Sequence, residues 1–344
     1  MTGTMDLLVY HNEHAGATTA LNLVSCPAAY HNYWLTAEIS REKNRQFHFH
    51  TEDLTLGSGS RFGYELQADL FQDPRYRFYG LGGGADEEAE SNYTHKELSG
   101  AADLYWNAAT HLRFTLGSRV RRTTLSRGAD NLADKLPYTA AAFPDVPGVG
   151  GATVLGERLS AIYDHRNQEF NPTAGTYARL LVEADHGLSD ARPSPPATYG
   201  RFSLEARHYR STADQRFTLL LRNTWRLTTG QDDIPFFELP TLGGDTALRG
   251  FDFGRFYGKH AVFGSAELRM QAMHLVLMGF PMDMEIAPFV DLGQVFQSAD
   301  FEGEFNVNPG FSFRALSRPN VGIILNGAVG QDGLIFTGGA SLPF

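Results

Sequence analysis

The stretch Arg61-Phe62-Gly63-Tyr64-Glu65-Leu66-Gln67-Ala68-Asp69-Leu70 decides the fold class. One parity reads Phe62, Tyr64, Leu66, Ala68, Leu70, and the other Arg61, Gly63, Glu65, Gln67, Asp69. Strict alternation is the period of a β-strand with one apolar and one polar face. The pattern returns from His111 to Val120, where Leu112, Phe114, Leu116 and Val120 stand against His111, Arg113, Thr115 and Arg119. It returns again over Arg201 to His208 and over Arg216 to Leu227, and helical spacing fits none of these runs. Apart from the eight residues of Arg201 to His208, these runs have about ten residues or more, beyond the roughly five or six of a globular strand and matched to a tilted membrane strand. The polar parity carries Arg and Glu of both signs, as a hydrated, charge-paired lumen requires. A soluble sandwich or barrel would also alternate, and at this stage it stands as the alternative.

Composition narrows the choice. The 344 residues carry 29 Lys and Arg against 39 Asp and Glu, a net charge of −10, so the basic stripe of a nucleic-acid binder is missing. A single cysteine supports neither an internal disulfide nor a multi-cysteine zinc site. Mean hydropathy is −0.27, and the sequence holds no run of about 18 apolar residues that would predict a membrane helix. A membrane β-barrel gives the same average, because its lipid-facing and lumen-facing residues cancel.

Outward from these runs, the periodicity predicts strands over 4–10, 17–25, 32–41, 45–54, 59–70, 96–107, 110–122, 154–164, 175–186, 199–210, 215–227, 260–272, 283–294, 308–316, 320–329 and 334–344. The total is sixteen, an even number, as closed bacterial barrels have. Links after odd-numbered strands are long (71–95, 123–153, 187–198, 228–259, 295–307), and those after even-numbered strands are mostly short. Long loops on one rim and tight turns on the other are the layout of outer-membrane barrels, with both termini periplasmic. The expected fold is therefore all-β: one transmembrane antiparallel β-barrel over residues 1–344. Its first strand, Met5 to Tyr10, is expected to be short.

Leu242-Gly243-Gly244-Asp245-Thr246-Ala247-Leu248-Arg249-Gly250-Phe251 resembles the conserved loop of the BamA/TamA-like barrel-assembly and two-partner-secretion superfamily, the bacterial surface antigen proteins. That family's signature is Val-Arg-Gly-Phe/Tyr in the sixth extracellular loop, and Leu248 stands here in place of Val. Counting strands puts the segment between the eleventh and twelfth, which is the sixth such loop. Phe289-Val290-Asp291-Leu292-Gly293 resembles the family's Phe-x-Asp-x-Gly strand, and Gly264-Ser265-Ala266-Glu267-Leu268-Arg269 its Glu-x-Arg strand. Tyr163-Asp164-His165-Arg166, with Pro172 and Gly175, resembles its Tyr-Asp-x-Arg … Pro-x-x-Gly strand and periplasmic turn. Phe78-Tyr79-Gly80-Leu81-Gly82 is similar to a further recurrent segment.

The resemblance implies a loop folded inward, with Arg249 pairing with acidic residues of the barrel wall. Strand phase independently puts Asp291 and Glu267 on the lumen parity, opposite Val290, Leu292, Ala266 and Leu268. A planar guanidinium grips a carboxylate in a two-pronged fork, which fixes orientation as well as adding energy. Gly250 is expected to allow the tight turn that presents Arg249. At the C-terminus Leu334, Phe336, Gly338, Ala340, Leu342 and Phe344 alternate and the sequence ends on Phe, so Phe336, Leu342 and Phe344 resemble the signal by which barrel-assembly machinery recognises outer-membrane chains.

Other chemistry finds little support. His11, Glu13 and His14, or His48 and His50 with Glu52, offer metal ligands without an indicated fourth, so no metal or cofactor is expected. The acidic run Asp86 to Glu90 after Gly80-x-Gly82-Gly83-Gly84 would repel a phosphate, and no nucleophile elbow is present, so an enzyme is not expected. Leu23-Val24-Ser25-Cys26 matches a lipoprotein cleavage box in outline, but residues 1–22 hold no Lys or Arg for a signal peptide. No periplasmic POTRA domain falls within the 344 residues.

By resemblance, the expected function is to promote insertion or translocation of polypeptides at the bacterial outer membrane (an organelle membrane of bacterial descent being the alternative). A weak seam between first and last strands would offer an edge to an incoming strand. Implied partners are outer-membrane lipid and lipopolysaccharide, client outer-membrane or secreted polypeptides, and the barrel-assembly machinery. Two other readings stay open: a non-catalytic anchor or secretion pore for an N-terminal passenger such as a patatin-like phospholipase, and a passive porin.

Overall fold

A computed structural model describes residues 2–12, 16–26, 32–40, 45–52, 54–57, 59–129, 136–188, 198–277, 280–298, 303–317 and 321–341, with side chains from residue 45 onward except at 52, 277, 280, 321, 340 and 341. Among the described residues sixteen long strands form one antiparallel sheet. They are β1 Thr2–Asn12, β2 Gly16–Cys26, β3 Asn32–Ser40, β4 Arg45–Glu52, β5 Phe62–Phe78, β6 Ser91–Ala109, β7 Leu112–Ser126 and β8 Ala152–Asp164. Then follow β9 Gly175–Gly187, β10 Thr198–Ser211, β11 Phe217–Gly230, β12 His260–Leu277, β13 Phe280–Phe296, β14 Asn306–Ser317, β15 Val321–Gly330 and β16 Gly333–Ser341. Each pairs with the next in chain order, and β1 lies alongside β16, which brings the two ends of the sheet together. Among the described residues no helix is long and apolar enough to cross a membrane.

The two faces divide as the alternation requires. Leu66, Leu70, Leu98, Leu104, Leu116, Leu159, Val182, Leu268, Val290 and Leu292 are exposed on the outer surface. In water that band would be a large apolar patch; against lipid it is the expected surface. Phe62, Trp106 and Phe114 stack at the turn-bearing rim, with centroids 6.1 and 5.7 Å apart, in the position of an interfacial aromatic girdle. Inside, charge meets charge along the lumen wall between strands two apart: Arg113 reaches Glu65 at 3.0 Å, Arg119 reaches Glu183 at 2.7 Å, and Arg158 bonds to Asp103.

Four expectations need correction. The link expected at 71–95 is mostly strand, because β5 runs to Phe78 and β6 begins at Ser91. A bulge between Asp73 and Tyr76 breaks the alternation there, and beyond it Phe78 and Tyr93 point inward to pack beneath the loops. Strands β12 and β13 likewise extend toward each other, to Leu277 and from Phe280, past a register shift at Gln271 and Met273 that hides the period. β1 is eleven residues long rather than short. The last strand, expected to reach 344, runs Gly333–Ser341; Phe336 faces outward, and Leu342, Pro343 and Phe344 lie outside the described residues.

Candidate functional site

The loop from 231 to 259, joining β11 to β12 and hereafter L6, turns back into the lumen. Its two limbs pair through Thr241–Tyr257 and Leu242–Phe256, which makes a small hairpin. Gly243, at φ +111°, and Gly244, at φ +102°, bend the chain below it, and a Cβ at Gly243 would fall 2.2 Å from the Asp252 carbonyl oxygen. Leu242, Leu248, Phe251, Phe256, Ala261, Phe263 and Val295 form a buried apolar cluster that seats the tip against β12 and β13.

Arg249 projects from this tip onto the wall. Its Nε donates to Asp291 Oδ2 and its Nη2 to Asp291 Oδ1, both at 2.9 Å, so the fork is two-pronged. The Arg249 backbone N–H adds a third bond to the same carboxylate at 3.1 Å. Nη1 donates to Glu267 Oε2 at 2.8 Å, Nη2 to Ser265 Oγ at 3.2 Å, and the Ser265 hydroxyl itself donates to Asp291 at 2.7 Å. The guanidinium also lies over the Phe289 ring, 3.2 Å from its centroid. That ring is admitted by Gly310 on β14, where a Cβ would strike Phe289 at 2.3 Å. All three charged groups are buried; removing one partner of such a set leaves an uncompensated charge and costs about 3–5 kcal/mol.

The motif's glycine works differently from the sequence expectation. Gly250 has no positive φ; instead the left-handed residue is Leu248, at φ +55°. Gly250 is needed for close approach, since a Cβ there would meet Asn308 Nδ2 at 2.5 Å and the Gly330 backbone nitrogen at 2.9 Å. Phe251 is buried against Phe256, with centroids 4.8 Å apart. Gly293 leaves the space that Leu248 fills. The structure thus brings together Leu248, Arg249, Gly250, Phe251, Glu267, Phe289, Asp291 and Gly293, and keeps Phe336 apart on the outer face.

A second anchor holds the first limb of L6. Glu238 forms ion pairs with Arg121 of β7 at 2.7 Å and Arg201 of β10 at 3.3 Å. Those guanidiniums also meet Asp185 of β9, at 3.3 Å from Arg121 and 2.7 Å from Arg201, while Arg201 reaches Glu183 at 3.0 Å. The two anchors share no residue and lie on different strands, so L6 is strutted across the lumen. Arg119 and Arg121, and Glu183 and Asp185, repeat at two-residue intervals on inward parities, a signal that sequence reading could have used. Glu238, flanked by Phe236, Phe237 and Leu239, offered none.

Aromatic residues close the space above. Phe78, Tyr93, Phe236 and Tyr257 are buried together, with Phe143 and Tyr138 packed against them from the loop between β7 and β8. The Gly82 N–H donates to the Tyr257 carbonyl at 2.7 Å, and Arg255 reaches the Ala85 carbonyl at 2.8 Å and Asp332 at 2.7 Å. The glycine-rich segment after β5 therefore serves as a packing surface for L6. His48 bonds to Asp69 and stacks on His50 at 5.9 Å, and among the described residues no group of three potential ligands converges on a metal position.

This geometry defines a class: an outer-membrane β-barrel whose lumen is occupied by its own sixth long loop. The chain belongs to the Omp85 superfamily, whose domain matches residues 31–325. Its fold is similar to that of BamA from Haemophilus ducreyi lacking POTRA domains 1–3, with a TM-score of 0.65 at 15% identity, covering 99% of this chain and 70% of that one. CdiB from Escherichia coli aligns with a TM-score of 0.60 at 13% identity, and CdiB from Acinetobacter baumannii with 0.58 at 13%. This chain spans 62% and 60% of those two proteins, with 99% of its own length covered in each case. Comparison with curated proteins gave no match.

Proposed function

We propose that this barrel promotes insertion or translocation of polypeptides at the outer membrane, and that the Arg249 anchor sets L6 as a fixed strut inside it. The observation that carries the reading is the fork of Arg249 on Asp291 and Glu267. A loop of some thirty residues is too long to hold one position unaided, and here two charged anchors and an aromatic cap hold it across the lumen. Beside it lie open cavities of 350 Å³ at the tip and 310 Å³ along the first limb. A passive porin would be poorly served by such a lumen. With the interior occupied, the route left for an incoming strand is the edge between β1 and β16, where backbone N–H and C=O groups can template pairing. We read the chain as a single non-catalytic barrel domain, with lipid and lipopolysaccharide against its outer band and client polypeptides as its cargo.

The test uses proteoliposomes and a urea-unfolded eight-stranded outer-membrane barrel as client, with folding followed by its heat-modifiable gel mobility. The wild-type chain is expected to speed client folding over empty liposomes, and Arg249→Ala to remove most of that gain while staying heat-modifiable itself. A folded wild-type chain that gives no acceleration would sink the reading and leave the anchor or secretion pore for an N-terminal passenger.

A further inference from the structure

The turn from 165 to 174, between β8 and β9, reaches across the turn-bearing mouth of the lumen. Its fold is set locally: Arg166 forks onto Asp164, with Nε at 2.9 Å, and Asn167 Oδ1 accepts from the backbone N–H groups of Thr173 at 3.1 Å and Ala174 at 3.2 Å. At its tip Asn171 adopts φ +48°, and Phe170 lies near β15, 3.7 Å from where a Cβ on Gly322 would stand.

The Asn171 carboxamide is seated among three charged side chains of the far wall. Its Nδ2 donates to Glu285 Oε1 at 2.8 Å. Its Oδ1 accepts from Arg269 Nη1 at 3.0 Å and Arg314 Nη2 at 3.1 Å. Only this orientation of the amide is consistent with the charges, since the reverse would set N–H groups against guanidinium and oxygen against carboxylate. Arg314 Nε and Glu285 Oε2 stand 3.4 Å apart, yet neither atom makes a hydrogen bond among the described residues. Arg314 is buried. Arg269 and Arg314 also line the 350 Å³ cavity beside Arg249.

A carboxamide offers a carbonyl acceptor and N–H donors in one plane, the two kinds of group that an extended backbone presents along one edge. We propose that Arg269, Arg314 and Glu285 form a receptor for the C=O and N–H groups along one edge of an extended polypeptide backbone, in which the chain's own Asn171 sits as an internal ligand. This inference rests on the reading that the barrel handles polypeptides, and it names where a client backbone first bonds inside the lumen. A client arriving from the turn-bearing side displaces Asn171 and takes over its bonds. Arg269 and Arg314 both also hold Glu267, at 2.8 and 3.1 Å, and Glu267 holds Arg249 at 2.8 Å. Occupancy of the receptor is thus transmitted directly to the L6 anchor.

The test is fluorescence anisotropy of a rhodamine-labelled, uncharged Gly/Ser/Thr decapeptide with the full chain in nanodiscs. An internal competitor lowers apparent affinity by the fraction of time the site is free, so Asn171→Ala is expected to bind the peptide roughly tenfold more tightly than wild type. Adding Glu285→Gln is expected to abolish that gain, with heat-modifiable mobility confirming that each variant is folded. A decapeptide of N-methylglycine, which has no backbone N–H, is expected not to bind. Equal affinity of wild type and Asn171→Ala, or equal binding of the N-methylated peptide, would overturn the proposal. Peptide binding without accelerated client folding would sink the insertion reading alone; accelerated folding without peptide binding would sink this receptor alone.

Discussion

Leu248 and Gly293 fit together as knob and hole. Leu248 is fully buried, and a Cβ built on Gly293 would stand 3.2 Å from its Cγ. The fit holds Leu248 at φ +55°, a conformation costing about 1–2 kcal/mol for a residue with a Cβ. Burying a leucine side chain contributes roughly 1.5–3 kcal/mol, enough to offset that strain. The left-handed residue swings the next one, Arg249, so that both its backbone N–H and its guanidinium face Asp291.

Filling the hole should release the tip without removing any charge. Gly293→Val overpacks a site that has no slack, at about 1–3 kcal/mol. Trypsin cleaves after Arg249 or Arg255 only when L6 opens, so cleavage is expected to quicken roughly ten- to hundredfold, in line with about tenfold per 1.4 kcal/mol. An unchanged cleavage rate would show that Leu248 does not hold the loop.

Arg249→Lys should behave like Arg249→Ala. Lysine keeps the charge but not the planar fork, and its ammonium cannot bond both Asp291 oxygens while also reaching Glu267. Client folding rates for the two variants are expected to fall together, well below wild type. A Lys variant at wild-type rate would mean that charge alone suffices.

The two anchors should act independently. Glu238 and Arg249 share no partner, so their effects on L6 opening are expected to add to within about 0.5 kcal/mol. Trypsin protection of Glu238→Gln, Arg249→Ala and the double variant measures this. Glu238→Gln should be the milder, because Arg121 and Arg201 keep Asp185 and Glu183 as partners.

Alkali should loosen the cap. Burial pushes the Tyr257 phenol up to about 12, against about 10 when exposed. A raised pKa means that the closed form holds its proton more tightly. The contribution is therefore intact below pH about 10 and is lost as pH rises from there through about 12. Opening of L6, followed with a fluorophore on the loop because trypsin itself fails in strong alkali, should rise over that window, and Tyr257→Phe should lessen the dependence without abolishing it, since Tyr93 is buried in the same cap.

Much of this was legible in the sequence, and the gaps have physical causes. Alternation in Arg61 to Leu70 and Arg216 to Leu227 reports a strand whose faces meet lipid and water, so the barrel and its sixteen strands could be read. The parity placing Asp291 and Glu267 inward followed from the same period. Alternation fails where both faces are buried or a bulge intervenes, as at Asp73 to Tyr76, so the strand ends near the capped rim were misplaced. Gly250 was assigned the turn because glycine is the usual left-handed residue; only packing against Gly293 shows why Leu248 takes that role. Glu238 and Asn171 act through partners far away in sequence, and no local pattern marks them.

The central claim is that Arg249 fixes L6 inside the lumen. Pulsed electron paramagnetic resonance between spin labels at position 245 on the loop and position 307 on the outer face of β14, after Cys26→Ser removes the one native thiol, tests it most directly. The account predicts a single narrow distance distribution in the otherwise wild-type barrel that broadens with Arg249→Ala. A distribution already broad with Arg249 in place, or one that Arg249→Ala leaves narrow, would contradict it.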